Sequence, residues 1–183
     1  EISMNKVELV RFNKDYLKKI WELGFKEERP EWKNWDGPYF DDDYKKCESF
    51  ESFLELESNF FLHDNRRCIL LNSEPVGMLS RVWEDKKTRW LEIGITIYRT
   101  DLWGKGIGTK ALSLWINDTF KEFDFLEHIG LTTWSGNIRM MKSAEKLGMK
   151  KEAQIRKVRY HKGIYYDSVS YGILREEWKN KLT

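Results

Sequence analysis

The chain has 183 residues, of which 40% are hydrophobic and 34% are charged, and its formal net charge is only +2. This balance is typical of a folded globular domain and excludes an intrinsically disordered chain. It provides no strong field favouring nucleic acid or an anionic membrane as a partner, and no apolar run approaches the ~20 residues of a membrane-spanning helix.

The length fits one domain over residues 1–183. Glu1–Ser3 stand ahead of Met4 and are a candidate vector remnant, and no apolar core typical of a signal peptide follows. Cys47 and Cys68 lie far apart without CxxC or Cys/His spacing. We therefore expect a reducing, cytoplasmic location with no disulfide and no metal site.

The first part of the chain predicts a strand, two helices and an intervening loop. Val7–Phe12 alternates as a strand does, and the helix that follows can be capped by Asn13 or Asp15. Glu28–Asp43 carries two of the three prolines and a cluster of acids, which indicates a loop or arm. A helix is expected next, from about Asp43 to Asn59.

From Arg66 onward the pattern changes to strands. Arg66–Leu71, Val76–Trp83 and Arg89–Tyr98 predict three consecutive antiparallel strands. A helix from about Gly106 to Phe120 then leads to the short apolar strand His128–Trp134. Because a helix connects them, this strand should run parallel to the strand before the helix.

The last part of the chain predicts a helix, two strands and a final helical turn. Asn137 is a candidate N-cap, and Gly148 is a typical helix stop. The two strands are joined by the turn "HKG". The histidines are scattered, and we interpret each of them as a surface or loop residue rather than a catalyst: His63, His128 and His161.

The stretch Asp101–Leu112, "DLWGKGIGTKAL", places three alternating glycines between a predicted strand and a predicted helix. The first N–H groups of a helix lack intrahelical acceptors, and glycines allow close approach of a phosphate. Lys105 and Lys110 add positive charge. The spacing matches neither a Walker A loop nor G-x-G-x-x-G, whose third glycine would fall at Thr109. The stretch predicts a phosphate site, with a plain tight turn as the alternative.

Three segments in order resemble the GNAT N-acetyltransferase superfamily. Trp103–Leu112 is similar to its acyl-CoA loop, [QR]-x-x-G-x-[GA], with Trp in the first position. Asn137–Ala153 resembles its second signature, an Asn that opens a helix ending in E-K-x-G-[FM]. Gly163–Trp178 resembles the closing strand of the branch related to ribosomal-protein N-terminal acetyltransferases. The resemblance extends over Val7–Trp178 and is strongest over Glu92–Gly148.

The resemblance implies an α+β, GNAT-like fold. Such a fold has about seven mostly antiparallel strands, with a splayed parallel pair at strands 4 and 5, and about four flanking helices. Acetyl-CoA would lie in the V-shaped opening of that pair, held by the backbone of strand 4, the glycine loop and one asparagine, for which a plain helix cap is the alternative. The implied cofactor-binding residues are Ile95, Thr96, Ile97, Trp103, Gly104, Lys105, Gly106, Ile107, Gly108, Thr109 and Asn137.

The implied activity is direct transfer of the acetyl group to a neutral primary amine. Glu92, on strand 4, is the expected general base; the alternative is a strand-face carboxylate paired with solvent or with a residue such as Arg89. Many family members place a tyrosine acid where this chain has Ala144. A CoA-binding sensor without turnover and a nucleotide-binding domain of another fold therefore remain as alternatives.

The resemblance places the acceptor amine against residues 24–65. Trp35, Tyr39 and Asp41 are the candidate substrate-binding residues, because aromatic and acidic side chains attract a cationic amine. The alternative is a solvated acidic loop with its aromatics in the core. A polyamine, an aminoglycoside or a peptide N-terminus would each fit, and the branch resemblance favours a peptide or protein N-terminus. We expect a monomer or homodimer with no nucleic-acid or membrane partner.

Overall fold

A computed structural model describes residues 5–37 and 44–182, except for the side chains of residues 180–182. Seven strands form one sheet: β1 (Val7–Val10), β2 (Arg66–Leu71), β3 (Glu74–Asp85), β4 (Trp90–Ile97), β5 (His128–Trp134), β6 (Lys150–His161) and β7 (Ile164–Leu174). Their order is β1-β2-β3-β4-β5-β7-β6, and β4 and β5 are parallel while the other neighbours are antiparallel. The predicted mixed sheet is confirmed.

The sheet is flanked by five α-helices: α1 (Lys14–Gly24), α2 (Phe50–Phe61), α3 (Ile107–Glu122), α4 (Ile138–Lys146) and α5 (Arg175–Leu182). Two short 3₁₀ segments are Glu31–Asn34 and Thr100–Leu102. The predicted C-terminal turn is a helix of 8 residues.

The second helix begins later than its sequence pattern predicts. It starts at Phe50, not near Asp43, because Ser49 caps it: the Ser49 hydroxyl accepts the Ser52 N–H, and the Ser52 hydroxyl accepts the Ser49 N–H. This reciprocal cap satisfies two N–H groups that would otherwise lack partners.

Alternation along the central strands gives the sheet two buried faces. On one face, Leu79, Leu91 and Ile129 pack with α3, whose Trp115 is fully buried. The other face carries an aromatic cluster under α1 and α2: Phe12, Phe25, Trp32, Phe53, Phe61 and Tyr98. Ring centroids within this cluster lie as close as 5.0 Å, as for Phe25 and Phe53.

The parallel pair separates after a short contact. β4 and β5 are in register only at Leu91 with Ile129 and at Glu92 with Gly130. Beyond Glu92, β4 continues to Ile97 beside β3. The predicted splay is thus confirmed, and it leaves one edge of β4 facing an opening between the two strands.

Candidate active site

A cavity of about 1140 Å³ occupies the opening and extends over both faces of the sheet. This volume is slightly above the ~300–1,000 Å³ typical of small-molecule sites, as expected of a cavity with room for two ligands. Its walls come from the end of β4, the glycine loop, the start of α4, and the segment between α1 and α2. The fold therefore brings the predicted cofactor region and the predicted acceptor region into one cavity.

Only every second residue of β4 directs its backbone N–H and C=O groups toward the opening. Tyr98 N–H donates to Val76 O at 2.9 Å, so the backbone groups of Tyr98 and Thr96 face β3. Those of Ile95 and Ile97 face the opening, although Ile97 O accepts the Trp103 indole N–H at 3.1 Å. Thr96 lines the cavity while its backbone groups face β3.

The glycine loop leaves the N-terminus of α3 without a side-chain cap. Side-chain oxygens of Asn13, Ser49 and Asn137 cap α1, α2 and α4, but the N-cap residue of α3 is Gly106, which has no side chain and has φ of 82°. The first turn of α3 contains no acid. A Cβ at Gly104 or Gly106 would meet nothing within 4 Å. The loop is thus an open cradle of backbone N–H groups, suited to an anion.

Most of the predicted loop residues line this cavity. The lining residues among them are Trp103, Gly104, Gly106, Ile107, Gly108 and Thr109. Lys105 is exposed and is not among the lining residues.

A basic face of α4 was missed by the sequence analysis. Arg139, Lys142 and Lys146 all line the cavity, at spacings of three and four that place them on one side of the helix. The Arg139 guanidinium lies between two indole rings, 4.7 Å from the Trp35 centroid and 4.6 Å from the Trp103 centroid. The spacing of these three cations in the sequence could have predicted that they share one face of the helix.

Asn137 joins the two walls of the opening. Its Oδ1 accepts the Met140 N–H at 3.2 Å, which confirms the predicted N-cap. Its Nδ2 donates to Trp35 O at 3.1 Å, and Trp134 Nε1 donates to the same oxygen at 3.2 Å. The Trp35 ring packs against Trp103 with centroids 6.1 Å apart. Trp35, predicted on the acceptor side, therefore lies against the cofactor loop.

Glu92 lies at the point where β4 and β5 part, and its side chain lines the cavity. Burial raises the pKa of the Glu92 carboxyl, while a hydrogen bond from Thr132 opposes this shift. The Glu84 carboxylate raises the Glu92 pKa further. Arg89 is the alternative partner that the sequence suggests for Glu92. Its guanidinium packs over the Phe125 ring, 5.2 Å from the ring centroid. Glu92 is therefore a half-buried carboxyl that binds a proton more readily than an exposed glutamate does.

Three further acids line the cavity: Asp36, Glu57 and Glu84. Asp36 lies in the acidic segment Glu28–Asp43 that the sequence predicts as the acceptor side, whereas Glu57 of α2 and Glu84 of β3 belong to no local motif. Aromatic side chains accompany them, among them Trp32, Tyr44 and Tyr98. Tyr39 and Asp41 lie outside the described residues.

The position of the family's tyrosine is buried in the core. Ala144 is fully buried and packs with the α3 side of the sheet. Its neighbour Ser143 lines the cavity, and its oxygen accepts the Thr109 hydroxyl at 2.9 Å.

No cluster of three or more His, Cys, Asp or Glu side chains that could hold a metal occurs in residues 5–37 and 44–179. Within the described part of the chain, the helices are all too short or too polar to cross a membrane. Cys47 and Cys68 are both buried free thiols.

Comparison with known proteins assigns the family. Residues 7–150 match the acetyltransferase (GNAT) domain. The chain is 30% identical over 118 residues to the SPbeta prophage-derived uncharacterized N-acetyltransferase YokL of Bacillus subtilis. That alignment covers 63% of this chain and 66% of YokL, just under two thirds of its length.

Two solved structures share the fold. RimL, the ribosomal L7/L12 alpha-N-protein acetyltransferase in complex with coenzyme A, superposes with a TM-score of 0.73 at 17% identity, covering 95% of this chain and 96% of RimL. The spermidine N-acetyltransferase of Vibrio cholerae, in complex with CoA and spermine, has a TM-score of 0.72 at 19% identity, covering 95% and 98%. With its splayed strands, glycine loop and family match over more than half its length, the chain belongs to the GNAT acetyltransferase family.

Proposed function

We propose that this protein transfers the acetyl group of acetyl-CoA directly to a cationic primary amine. The observation that carries the proposal is one cavity that joins an uncapped glycine loop, an exposed edge of β4 and the half-buried carboxyl of Glu92. These are an anion cradle, a strand edge and a base, which are the parts that amine acetylation by an acyl-CoA requires.

The residues present fit acetyl-CoA. The N–H groups of Ile107, Gly108 and Thr109 at the start of α3 suit a pyrophosphate, and the basic face of α4 adds positive charge. Ile95 and the N–H of Ile97 would pair with the amide groups of the pantetheine arm, as an added strand does. Acetyl-CoA would supply an activated thioester.

Glu92 is the proposed base. An ammonium has no lone pair, so a proton must leave the nitrogen before it can attack. The Glu92 carboxylate can accept that proton, and N–H groups of β4 that face the opening are suited to stabilising the oxyanion. Because burial raises the Glu92 pKa, activity should be lost on the acid side at a higher pH than an ordinary glutamate would cause.

The acceptor half favours an amine with more than one positive charge. Asp36, Glu57, Glu84 and Glu92 line the same cavity, and they would attract separate ammonium groups of a polyamine. The structurally similar Vibrio cholerae protein is a spermidine N-acetyltransferase in complex with CoA and spermine, which supports this choice. A protein N-terminus is the second candidate, supported by the name of RimL.

The test is an acceptor screen with acetyl-CoA, measuring CoA release and the mass of the products. The panel holds spermidine, spermine, an aminoglycoside, single amino acids and peptides that begin with Ala or Ser. We expect the highest kcat/KM with a polyamine, and a KM that rises several-fold in the Glu57→Gln and Glu84→Gln variants. CoA binding without turnover of any amine would instead show a sensor. A thermal shift with ATP or NAD but none with CoA would refute the proposed function.

A further inference from the structure

A histidine–glutamate pair lies beside Glu92 but outside the cavity. His128, the first residue of β5, has its Nε2 2.8 Å and 3.1 Å from the two carboxylate oxygens of Glu152 on β6. Glu92 lines the cavity, whereas neither member of the pair does. The side chains of His128 and Glu152 remain 28% and 44% exposed. The pair therefore stands between the proposed base and solvent.

Two facing glycines provide the space for this arrangement. Gly130 of β5 pairs with Gly172 of β7. A Cβ built on Gly130 would lie 3.1 Å from Glu92 Cγ and 3.3 Å from His128 Cε1, so these two side chains are neighbours across one glycine. A Cβ on Gly172 would collide with both His128 Nε2 and the Glu152 carboxylate. Any larger residue at either position would displace the row of three side chains.

The proposed reaction releases one proton per turnover. A protonated amine and acetyl-CoA give an amide, CoA thiol and one proton: the C–N bond forms, the C–S bond breaks, and the sulfur takes one of the two protons that the nitrogen loses. The other proton must leave the site before the next cycle. Glu92 starts that path inside the cavity, which the two substrates would fill during turnover.

We propose that His128, held by Glu152, is a positioning residue that relays the proton from Glu92 to solvent. This inference rests on the proposed acetyl transfer with Glu92 as its base. Because Nε2 is bonded to Glu152, Nδ1 is the nitrogen that takes up the proton, directly or through one water. Nε2 then passes a proton to the Glu152 carboxylate, which is exposed enough to release it.

The charged groups around Glu92 and His128 come from several elements of the fold. Glu92 is influenced by Glu84 from β3, His128 from β5 and Glu152 from β6. His128 also lies near Glu177 of α5, whose carboxylate forms an ion pair of 2.9 Å with Lys150. The carboxylates of Glu152 and Glu177 therefore lie near His128, while that of Glu84 acts on Glu92.

The test compares His128→Gln with His63→Gln as the matched control. His63 lies in the turn between α2 and β2, where its Nδ1 accepts the Asn65 N–H at 3.0 Å, and it does not line the cavity. With the best amine of the screen, kcat of His128→Gln should fall at least tenfold; loss of a general acid or base itself typically costs about 10²- to 10⁴-fold, and Glu92 remains in this variant. KM for acetyl-CoA should stay unchanged, and added imidazole should restore part of kcat.

A second variant keeps the relay testable if His128→Gln folds poorly. Glu152→Gln keeps a hydrogen-bond partner for His128 but removes the charge, and its kcat should fall several-fold and respond to buffer concentration. If both variants match His63→Gln in kcat, pH profile and imidazole response while wild type turns over, the relay is wrong and the acetyltransferase proposal stands. If wild type acetylates no amine, the proposed function fails and the relay fails with it.

Discussion

In the proposed cofactor half of the cavity, the end of β4 and the glycine loop offer backbone groups, with the basic face of α4 beside them; in the proposed acceptor half, the polar groups are carboxylate side chains. The cofactor half is built on one contiguous stretch, β4 through the start of α3. The acceptor half draws Asp36, Glu57, Glu84 and Glu92 from four separate segments. A backbone site needs glycines at fixed spacing and so leaves a motif, whereas a side-chain site assembled by the fold leaves none.

The largest expected effect comes from Glu92, where the two halves meet. Glu92→Gln should lower kcat about 10²- to 10³-fold, because general-base assistance is typically worth that much. Its affinity for CoA, measured by calorimetry, should stay within about twofold of wild type, a difference of well under 1 kcal/mol. Glu84→Gln, in the same cavity but on β3, is the matched variant and should mainly raise the KM of the amine. Equal losses of kcat in both variants would contradict the assignment of Glu92 as the base.

A substitution at Gly106 tests the cofactor half alone. Gly106→Leu should weaken CoA binding about a hundredfold, because a side chain in the cradle blocks one or two charge-assisted hydrogen bonds worth about 1.5–3 kcal/mol each. Gly163→Leu is the control, since Gly163 has φ of 81° and equally open surroundings but lies in the β6–β7 turn. We expect Gly163→Leu to have similar backbone strain but unchanged affinity for CoA. Full CoA affinity in Gly106→Leu would show that the loop assignment is wrong.

Trp35 tests whether the two halves are coupled. Trp35→Ala removes the ring packed on Trp103 and Arg139, and aromatic and cation–π contacts of this kind are worth about 0.5–2 kcal/mol. We therefore expect the Kd for CoA to rise about three- to tenfold, with Trp35→Phe close to wild type. A change confined to the KM of the amine would place Trp35 in the acceptor half alone.

The smallest expected effect is on stability. Glu92 has a raised pKa in the folded protein, so folding disfavours its charged form. That cost is absent below the pKa of the unfolded chain, appears as pH rises past it, and is complete above the folded pKa. Glu92→Gln should thus raise the Tm at pH values above the folded pKa of Glu92, and the gain should shrink as the pH falls and vanish below the unfolded pKa. A gain independent of pH would refute the electrostatic cause.

The fold was largely predictable because its patterns are local. The bounds of β2 and β5 agree with the sequence pattern, since each is a compact apolar run between turn residues. The start of α2 was not predicted, because the Ser49–Ser52 cap competes with an apolar pattern that extends further back. Tertiary contacts also override the pattern at Trp35, whose ring lies on the cofactor loop.

The candidate site was predictable only in part, for the same reason. The glycine loop is a sequence motif, but the basic face of α4 and the acids Glu57 and Glu84 become a site only through the fold. His128 looked like a scattered surface residue, and its place beside Glu92 depends on the pairing of Gly130 with Gly172.

A crystal structure of the protein with CoA would show directly where the cofactor binds. We expect the pyrophosphate on the N–H groups at the start of α3 and the pantetheine arm paired with Ile95 and the Ile97 N–H, with the thiol directed toward Glu92. CoA bound elsewhere, or a pantetheine arm that makes no backbone contact with β4, would contradict this expectation.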